Sequence, residues 1–278
     1  MFRFQFKALI ALVFCALNNA MASTVSFSEV LGLSVEADRT VLPYGSQNQQ
    51  TLVHFPVGAT DADSILVIHG GCWSNAYGVD HSLPMAAALS GIGLDVWAAE
   101  YRRVGDEGGG WPGSLEDVKS AARYVTQITG KAPLLVGHSA GGHLALKAAE
   151  DPDLSISGVV ALAPITDLVS YGAETGSCQS MVPKFMGDDS YDPNDAYREA
   201  SVRIEDITVP VIVVIGDADP IVGTNQVESF SLDQLRTIPE AGHFDLIHPE
   251  TIAFDVVKST VEQLLEETIS GPEATRDE

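Results

Sequence analysis

The feature that most constrains the fold of this chain is a Gly-x-Ser-x-Gly sequence between an apolar run and a helix-forming run. The apolar run covers 134–136, the motif is Gly137-His138-Ser139-Ala140-Gly141, and the helix-forming run covers 144–150. This order predicts a strand, a sharp turn and a helix, with Ser139 in a strained conformation that projects its hydroxyl away from the sheet. Gly137 and Gly141 are predicted where strand and helix are too close for a Cβ. Taken alone, the motif is also compatible with a Gly-rich turn in other α/β proteins.

Seven further apolar or alternating runs predict strands, and helix-forming runs lie between most of them. This alternation predicts a mostly parallel sheet covered by helices on both faces, with ligands bound beyond the carboxyl ends of the strands. The first two runs are separated by a turn at 43–46 and predict an antiparallel hairpin. A short helix is predicted at 225–232 and a long closing helix at 249–268. The eight predicted strands cover residues 34–41, 50–57, 65–68, 94–99, 134–136, 159–163, 211–215 and 235–238.

The N-terminus has the pattern of a secretory signal peptide. Arg3 and Lys7 precede an apolar run at 8–16, and Ala20-Met21-Ala22 is an A-x-A cleavage site, so residues 1–22 are predicted to be removed. The apolar run is shorter than the ~20 residues that a membrane-spanning helix needs. We therefore expect a secreted or periplasmic protein that has no contact with a membrane after cleavage.

The rest of the chain is predicted to be a single α/β domain over residues 23–270, followed by an acidic tail at 271–278. At about 165–207 the strand–helix alternation stops, and a lid-like insertion over the active-site face is expected there. The formal net charge is −23, and loss of the two bases in residues 1–22 takes it to −25. This acidity argues against nucleic acid as a partner. The sequence leaves the oligomeric state open.

A serine hydroxyl needs a general base, and the base needs an orienting carboxylate. Three histidines after Ser139 are candidates for the base. His143 lies on the helix that the motif opens, and His248 lies at the start of the closing helix. His243 lies in a Gly-containing loop directly after the last predicted strand, and it is the predicted base.

Two aspartates follow the strand predicted at 211–215. Asp219 precedes Pro220, which favours an extended conformation, and it is far enough past the strand to reach a neighbouring loop. Asp217 is predicted to be a turn residue that binds local amides. The predicted triad, Ser139, Asp219 and His243, has the chain order expected of α/β-hydrolases.

Negative charge on the carbonyl oxygen must meet preformed N–H donors when serine attacks. One donor is the amide of Ala140, directly after the nucleophile. The sequence His69-Gly70-Gly71-Cys72-Trp73 follows the strand at 65–68, and its paired glycines let the backbone turn its amides toward a substrate.

With these motifs in place, the chain resembles the α/β-hydrolase superfamily along nearly all of its mature length. His69-Gly70-Gly71-Cys72-Trp73 resembles the HGGxW signature of kynurenine formamidase (arylformamidase) and related esterases. The 137–141 motif and the 216–222 segment are similar to patterns that this branch shares with hormone-sensitive-lipase-like esterases. The resemblance implies a mostly parallel sheet of about eight strands and an oxyanion hole formed by the amides of Gly71, Cys72 and Ala140. A likeness to prolyl-oligopeptidase-type peptidases is weaker, because the chain has no room for their propeller.

The predicted function is an exported serine hydrolase that cleaves carboxylic esters of small acyl groups through an acyl-enzyme on Ser139. The first alternative is an arylformamidase acting on N-formyl-kynurenine, which is expected in the cytoplasm and so disagrees with the export signal. The second is an inactive hydrolase fold that serves as a binding protein, which retention of the whole triad disfavours. The expected partner is a small ester or amide. We expect no metal and no cofactor, because the sequence has no ligand cluster with metal spacing, no phosphate loop and no dinucleotide fingerprint.

Several residues outside the predicted triad allow more than one interpretation. Trp73, Tyr77 and Trp111 are predicted to line an acyl or aryl pocket, and the alternative is that they cover the edge of the core. Arg102 and Arg103 either pair with Asp117 or bind a substrate carboxylate. Asp117 also stands in the capping-box position after Ser114, the predicted N-cap of a helix at 114–128. Cys72 and Cys178 remain after signal cleavage, and the sequence leaves open whether they form a disulfide.

Overall fold

The sheet positions every candidate residue of the site. The computed structural model describes residues 24–59 and 61–270, so the predicted signal peptide and acidic tail lie outside the described residues. Within these ranges the chain forms eight strands, Thr40–Pro43 (β1), Thr51–Phe55 (β2), Ser64–Ile68 (β3), Asp95–Ala99 (β4), Leu134–His138 (β5), Gly158–Leu162 (β6), Val211–Gly216 (β7) and Leu235–Ile238 (β8).

The strands form one sheet in the order β1-β2-β4-β3-β5-β6-β7-β8. β1 pairs antiparallel with β2, and β2 with β4, whereas every neighbouring pair from β4 to β8 is parallel. The predicted mostly parallel sheet of about eight strands is therefore confirmed. Strands β3, β5, β6 and β7 are buried at every position, as expected when both faces of a sheet are covered.

The first strand differs from its prediction. It was expected at 34–41 and lies at Thr40–Pro43, where its register with β2 runs from Thr40 opposite His54 to Pro43 opposite Thr51. β1 is an edge strand with three of its four residues exposed, so burial imposes no apolar alternation that would mark its bounds. Its position at the edge also explains why Pro43 is tolerated.

Helices cover the sheet and form most of the connections between strands. α3 and α4 contact each other and pack on β3, β4, β5 and β6, whereas α2 contacts β2 and β4 and α8 contacts β6 and β7. No helix within the described ranges is long and apolar enough to cross a membrane. The helices are Phe27–Leu31 (α1), Leu83–Ser90 (α2), Gly113–Thr129 (α3), Ala140–Ala149 (α4), Leu168–Ala173 (α5), Val182–Met186 (α6), Asp195–Ala200 (α7) and Ile252–Ser270 (α8).

Two irregular regions connect these elements. The segment at 165–207 contains the short helices α5, α6 and α7, and α5 contacts both of the others. The helix predicted at 225–232 is shortened to a single 3-10 turn at Thr224–Val227. The helix does not continue, because the Phe230 N–H donates to the Val227 carbonyl instead. The Ser231 amide and hydroxyl then both donate to the Gln234 side-chain oxygen. These bonds turn the chain into β8.

Candidate active site

The candidate nucleophile, Ser139, lies between β5 and α4. Its backbone has φ 56° and ψ −120°, and such a conformation costs a non-glycine residue about 1–3 kcal/mol unless its surroundings enforce it. The Ser139 N–H donates to the carbonyl oxygen of Leu162 at 2.8 Å, and the Ser139 carbonyl accepts the His143 N–H at 3.0 Å. The turn is therefore held by β6 on one side and by α4 on the other.

The two motif glycines lie where β5 and α4 almost touch. A Cβ on Gly137 would collide with the backbone of Gly141, and a Cβ on Gly141 would collide with the carbonyl groups of Ile68 and His69. The predicted steric need for glycine at both positions is confirmed. The same close approach brings α4 against the end of β3, so the loop after β3 lies beside Ser139.

His243 and Asp219 form a buried pair after β8 and β7. The His243 Nδ1 donates to Asp219 Oδ2 at 2.7 Å, and the two side chains are only 4% and 1% exposed. The second carboxylate oxygen, Oδ1, accepts the amides of Ile221 and Val222 at 2.8 and 2.9 Å. Because Nδ1 carries the proton, His243 Nε2 is the nitrogen that is free to act as a base.

Ser139 and His243 line the same cavity, which has a volume of about 140 Å³. Their side chains are not hydrogen-bonded to each other in the described residues, and in sites without substrate such contacts are often long. The structure thus brings the predicted base and its carboxylate to the space that contains the predicted nucleophile.

The alternative acid and bases have other contacts. Asp217 is exposed, and its carboxylate accepts the amide of Glu240 at 2.6 Å in the turn after β8. His143 is buried between Trp73 and the Ala200 carbonyl, where its ring accepts one hydrogen bond and donates another. Burial lowers the pKa of His143 to about 4. Neither Asp217 nor His143 lines the cavity, and nor does His248.

The loop after β3 supplies the predicted oxyanion donors. Gly71, Cys72 and Trp73 have φ values of 99°, 52° and 55°, so the chain coils tightly there and Gly71 and Cys72 line the cavity. A Cβ on Gly71 would lie 2.5 Å from Tyr77 Cβ, which adds a steric reason for glycine. Within the described part of the chain, the amides of Gly71, Cys72 and Ala140 have no hydrogen-bond acceptor.

A buried charged cluster holds this loop. His69 Nδ1 donates to the Gly70 carbonyl at 2.7 Å, and Nε2 lies 2.9 Å from Glu100 Oε1. Burial alone would raise the pKa of Glu100, but the His69 hydrogen bond and charge, with Arg103 and the Val79 amide, lower it below its usual value. Glu100 is thus an ionised anchor that joins the His69 loop to the 79–82 turn.

The two tryptophans that the sequence predicts to bind substrate lie outside this cavity. Trp73 is fully buried, stacks on Phe185 with ring centroids 4.6 Å apart and donates to His143. Trp111 also contacts Phe185, with ring centroids 6.2 Å apart, and the Lys147 ammonium lies 5.8 Å from its ring. Neither lines the cavity. Trp73 is part of the hydrophobic core, and Trp111 is half-buried and packs against that core.

Of the three aromatic residues that line the cavity, only Tyr77 was identified from the sequence. They are Phe27 from α1, Tyr77 from the loop after β3 and Phe244 beside the candidate base. Phe27 precedes the first strand, in a segment with no motif. The pattern Gly242-His243-Phe244 was the one available signal, since it places an aromatic ring next to the base.

A disulfide joins Cys72 to Cys178, with the two Cα atoms 5.2 Å apart. Both cysteines line the cavity, as does Ser177. The bridge therefore ties the loop after β3 to the 165–207 segment, which answers the question that the sequence left open.

Two further histidines line the cavity in the neutral state. Burial lowers the pKa of His81 to about 3, and burial with the neighbouring His243 lowers the pKa of His138 well below its usual value. His138 Nε2 donates to the His243 carbonyl at 3.1 Å and so positions the loop of the candidate base. No group of three or more potential metal ligands is present among the described residues.

Comparison with known proteins identifies a family and a fold. The family model BD-FAE matches residues 53–233, which cover the sheet from β2 to the residues before β8. No curated protein matches the sequence.

Three solved structures illustrate the likeness. Esterase B from Lactobacillus rhamnosis HN001 has a TM-score of 0.71 at 17% identity, over 91% of this chain and 93% of that chain. Esterase B inhibited by a C4-C4 tributyrin phosphonate has a TM-score of 0.70 at 17% identity, over 90% and 93%. The hyperthermophilic esterase from the archaeon Pyrobaculum calidifontis has a TM-score of 0.65 at 16% identity, over 86% of each chain. The resemblance to α/β-hydrolase esterases and the predicted fold are confirmed.

Proposed function

Because the chain belongs to the BD-FAE family, we propose that it is a serine hydrolase that cleaves carboxylic esters of small acyl groups. The observation that carries the proposal is the small cavity lined by Ser139, His243, Gly71 and Cys72, with Asp219 hydrogen-bonded to His243. The esterases with the same fold support it. The size of the cavity also supports a small acyl group, because 140 Å³ is well below the ~300–1,000 Å³ of pockets that hold drug-sized ligands.

The proposed reaction has two half-reactions. Ser139 Oγ attacks the ester carbonyl carbon while His243 Nε2 takes the hydroxyl proton, and the new oxyanion accepts the amides of Gly71, Cys72 and Ala140. Collapse of this intermediate breaks the bond to the alcohol oxygen, which takes the proton from His243. Water then attacks the acyl carbon, with His243 as the base again. The carboxylic acid leaves and the Ser139 hydroxyl is restored.

Asp219 has an electrostatic and orienting role in this scheme. Its carboxylate fixes the His243 tautomer and stabilises the imidazolium that forms in each half-reaction. The amides of Ile221 and Val222, which donate to Oδ1, hold the carboxylate in place. The strained Ser139 backbone keeps the nucleophile at the mouth of the turn, so little reorganisation is needed when substrate binds.

The test combines a covalent probe with a substrate panel. A fluorophosphonate should label the wild-type protein at Ser139, as the phosphonate inhibition of esterase B suggests, and should not label Ser139→Ala. We expect hydrolysis of p-nitrophenyl acetate to butyrate, with kcat reduced at least about 10⁴-fold in Ser139→Ala. Retention of substantial activity in that variant, or absence of labelling in the wild type, would exclude the mechanism and favour the inactive binding protein.

The same panel separates the ester from the formamide. A formyl group also fits a small cavity, so N-formyl-kynurenine is included. We expect its kcat/KM to be no higher than those of the short-chain esters. A kcat/KM for the formamide far above every ester would favour an arylformamidase.

We also propose that the protein is exported. The pattern of residues 1–22 supports this, and so does the Cys72–Cys178 disulfide, because disulfides persist mainly in oxidising compartments. Sequencing the N-terminus of the protein recovered from the periplasm or medium should give Ser23. A cytoplasmic protein that retains Met1 would contradict the proposal.

A further inference from the structure

We infer that Phe27 divides the active-site space into an acyl chamber and a leaving-group cleft, and thereby limits the length of the acyl group. This inference rests on the proposed ester hydrolysis and adds a residue that sets its specificity.

The active-site space has two parts. The acyl chamber is the cavity of about 140 Å³ that contains Ser139, Gly71 and Cys72. The leaving-group cleft is a neighbouring space of about 270 Å³, lined by residues 24–27 and by Pro220. Phe27, Ile221, His243 and Phe244 line both spaces, whereas Ser139 lines only the chamber. Phe27 and its neighbours therefore form the boundary between the two.

The chemistry determines which part of an ester lies in each space. In the tetrahedral intermediate the carbonyl carbon is bonded to Ser139 Oγ, and its oxygen points to the 71–72 amides. The leaving alcohol must receive its proton from His243 Nε2 and so must lie beside His243. His243 is the catalytic residue that borders the cleft, so the alcohol is directed into the cleft and the acyl chain remains in the chamber.

Phe27 is held on three sides at this boundary. Its ring centroid lies 5.4 Å from that of Tyr77, 5.4 Å from that of His81 and 5.6 Å from that of Phe244. The rings of Tyr77 and His81 meet it edge to face, which is a favourable arrangement for aromatic pairs. The ring is thus a fixed wall rather than a side chain that is free to move aside.

The segment that carries Phe27 is itself anchored to the loop of the candidate base. Val25 N–H and Gly242 N–H both donate to Asp245 Oδ2 at 3.0 Å. Ser26 and Glu29 form a capping box at the start of α1, and Val30 is completely buried. Movement of this wall would therefore break contacts next to His243.

The volume of the chamber sets the expected limit. The 140 Å³ of the chamber is well below the ~300–1,000 Å³ of pockets that hold drug-sized ligands, so a short acyl chain is expected there. A butyryl chain fits, because its carbonyl oxygen lies in the oxyanion hole. An octanoyl chain has four more carbons and would have to pass the Phe27 ring.

The test is the acyl-length profile of Phe27→Ala and Phe27→Leu, measured as kcat/KM on p-nitrophenyl esters from acetyl to decanoyl. Removing the ring joins the two spaces, so the ratio of octanoate to butyrate activity should rise at least about tenfold in Phe27→Ala. Phe27→Leu should give a smaller rise. Leu31→Ala is the matched control, because Leu31 is on the same helix, is 49% exposed and lines neither space. It should leave the profile unchanged.

The outcomes separate this inference from the function on which it rests. An active wild type whose profile is unchanged in both Phe27 variants, or changed equally by Leu31→Ala, would overturn the role of Phe27 alone. If Phe27→Ala does not fold, Phe27→Leu decides by the same ratio. A wild type that hydrolyses no ester would overturn both proposals.

Discussion

At the scale of single residues, the position of a carboxylate decides its role. Asp217 and Asp219 are only two positions apart in the chain, yet their carboxylates have different partners. Asp219 binds His243 Nδ1, and Asp217 binds the Glu240 amide in a turn. We expect Asp219→Asn to lower kcat by about 10⁴-fold on p-nitrophenyl acetate, because an amide favours the wrong histidine tautomer.

Asp217→Asn is the matched control for this prediction. The asparagine can still accept the Glu240 amide, so kcat should stay near the wild-type value, and the free energy of unfolding should fall by no more than about 1 kcal/mol. Steady-state kinetics and urea unfolding of both variants give the comparison. If Asp217→Asn were the inactive variant and Asp219→Asn the active one, the carboxylate of the triad would be wrongly assigned.

The sequence was most informative about polar residues that come directly after the ends of strands. Ser139, Asp219 and His243 each follow a strand of one parallel sheet, and carboxyl ends of such strands meet at one edge. Side-chain direction is not encoded in that rule, so Trp73 was expected in the cavity although its ring faces the core. Phe27 was missed because it reaches the cavity only through tertiary contacts of α1.

At the scale of structural elements, the Cys72–Cys178 bridge connects two elements 106 residues apart in sequence. We expect the double variant Cys72→Ser/Cys178→Ser to lose about 2–5 kcal/mol in its free energy of unfolding. We also expect a lower kcat, because the Cys72 amide is a proposed oxyanion donor and its loop would lose the tie to residue 178.

Reduction provides the control for this prediction. Dithiothreitol should bring the wild type to the kcat and urea midpoint of the double variant and should not affect the double variant. If kcat were unaffected while stability fell, the His69–Glu100 contact would be sufficient to hold the loop. The bridge would then have a purely structural role.

Long-range contacts also overrode a local rule at the start of α3. The sequence predicted Ser114 as an N-cap with Asp117 in the capping box, but the helix begins at Gly113. The Asp117 carboxylate instead accepts two hydrogen bonds from the Arg102 guanidinium, at 2.8 and 2.6 Å, and one from its backbone N–H at 2.9 Å. Ser114 Oγ donates to the Arg102 carbonyl instead. The predicted ion pair with Asp117 is therefore present for Arg102, whereas Arg103 pairs with Glu100 and Asp106. Arg102 is thus not available for a substrate carboxylate. A capping rule considers four residues, and it cannot include a partner from the end of β4.

At the scale of the whole molecule, stability should depend on pH through buried neutral histidines. Three side chains, His81, His138 and His143, are at most 2% exposed. Burial lowers the pKa of His81 to about 3 and that of His143 to about 4, and it lowers the pKa of His138 well below its usual value. In the unfolded chain each histidine has a pKa of about 6.5. Below that pH the unfolded state binds up to three protons that the folded state does not bind.

The sign of the effect follows from this difference. Stability falls as pH decreases below 6.5, because protons favour the state that binds more of them. Each such histidine contributes about 1.4 kcal/mol per pH unit, so the free energy of unfolding should fall by about 4 kcal/mol between pH 7 and pH 5.5. Carboxylates with lowered pKa values, such as Asp95 and Glu100, lose their stabilising effect only at lower pH, below their ordinary values near 4. The two effects therefore occupy separate pH ranges.

Urea unfolding at several pH values from 7.5 to 5 measures this dependence. The variant His143→Gln removes one of the three titrating groups at a position that does not line the cavity, and it should reduce the slope by about one third. The histidines differ from surface groups in their response to salt, since screening acts on exposed charges and not on the desolvation that keeps these rings neutral. The slope should therefore persist at high salt. A free energy of unfolding that stays constant from pH 7 to 5.5, or a slope that His143→Gln leaves unchanged, would show that these histidines are protonated in the folded protein.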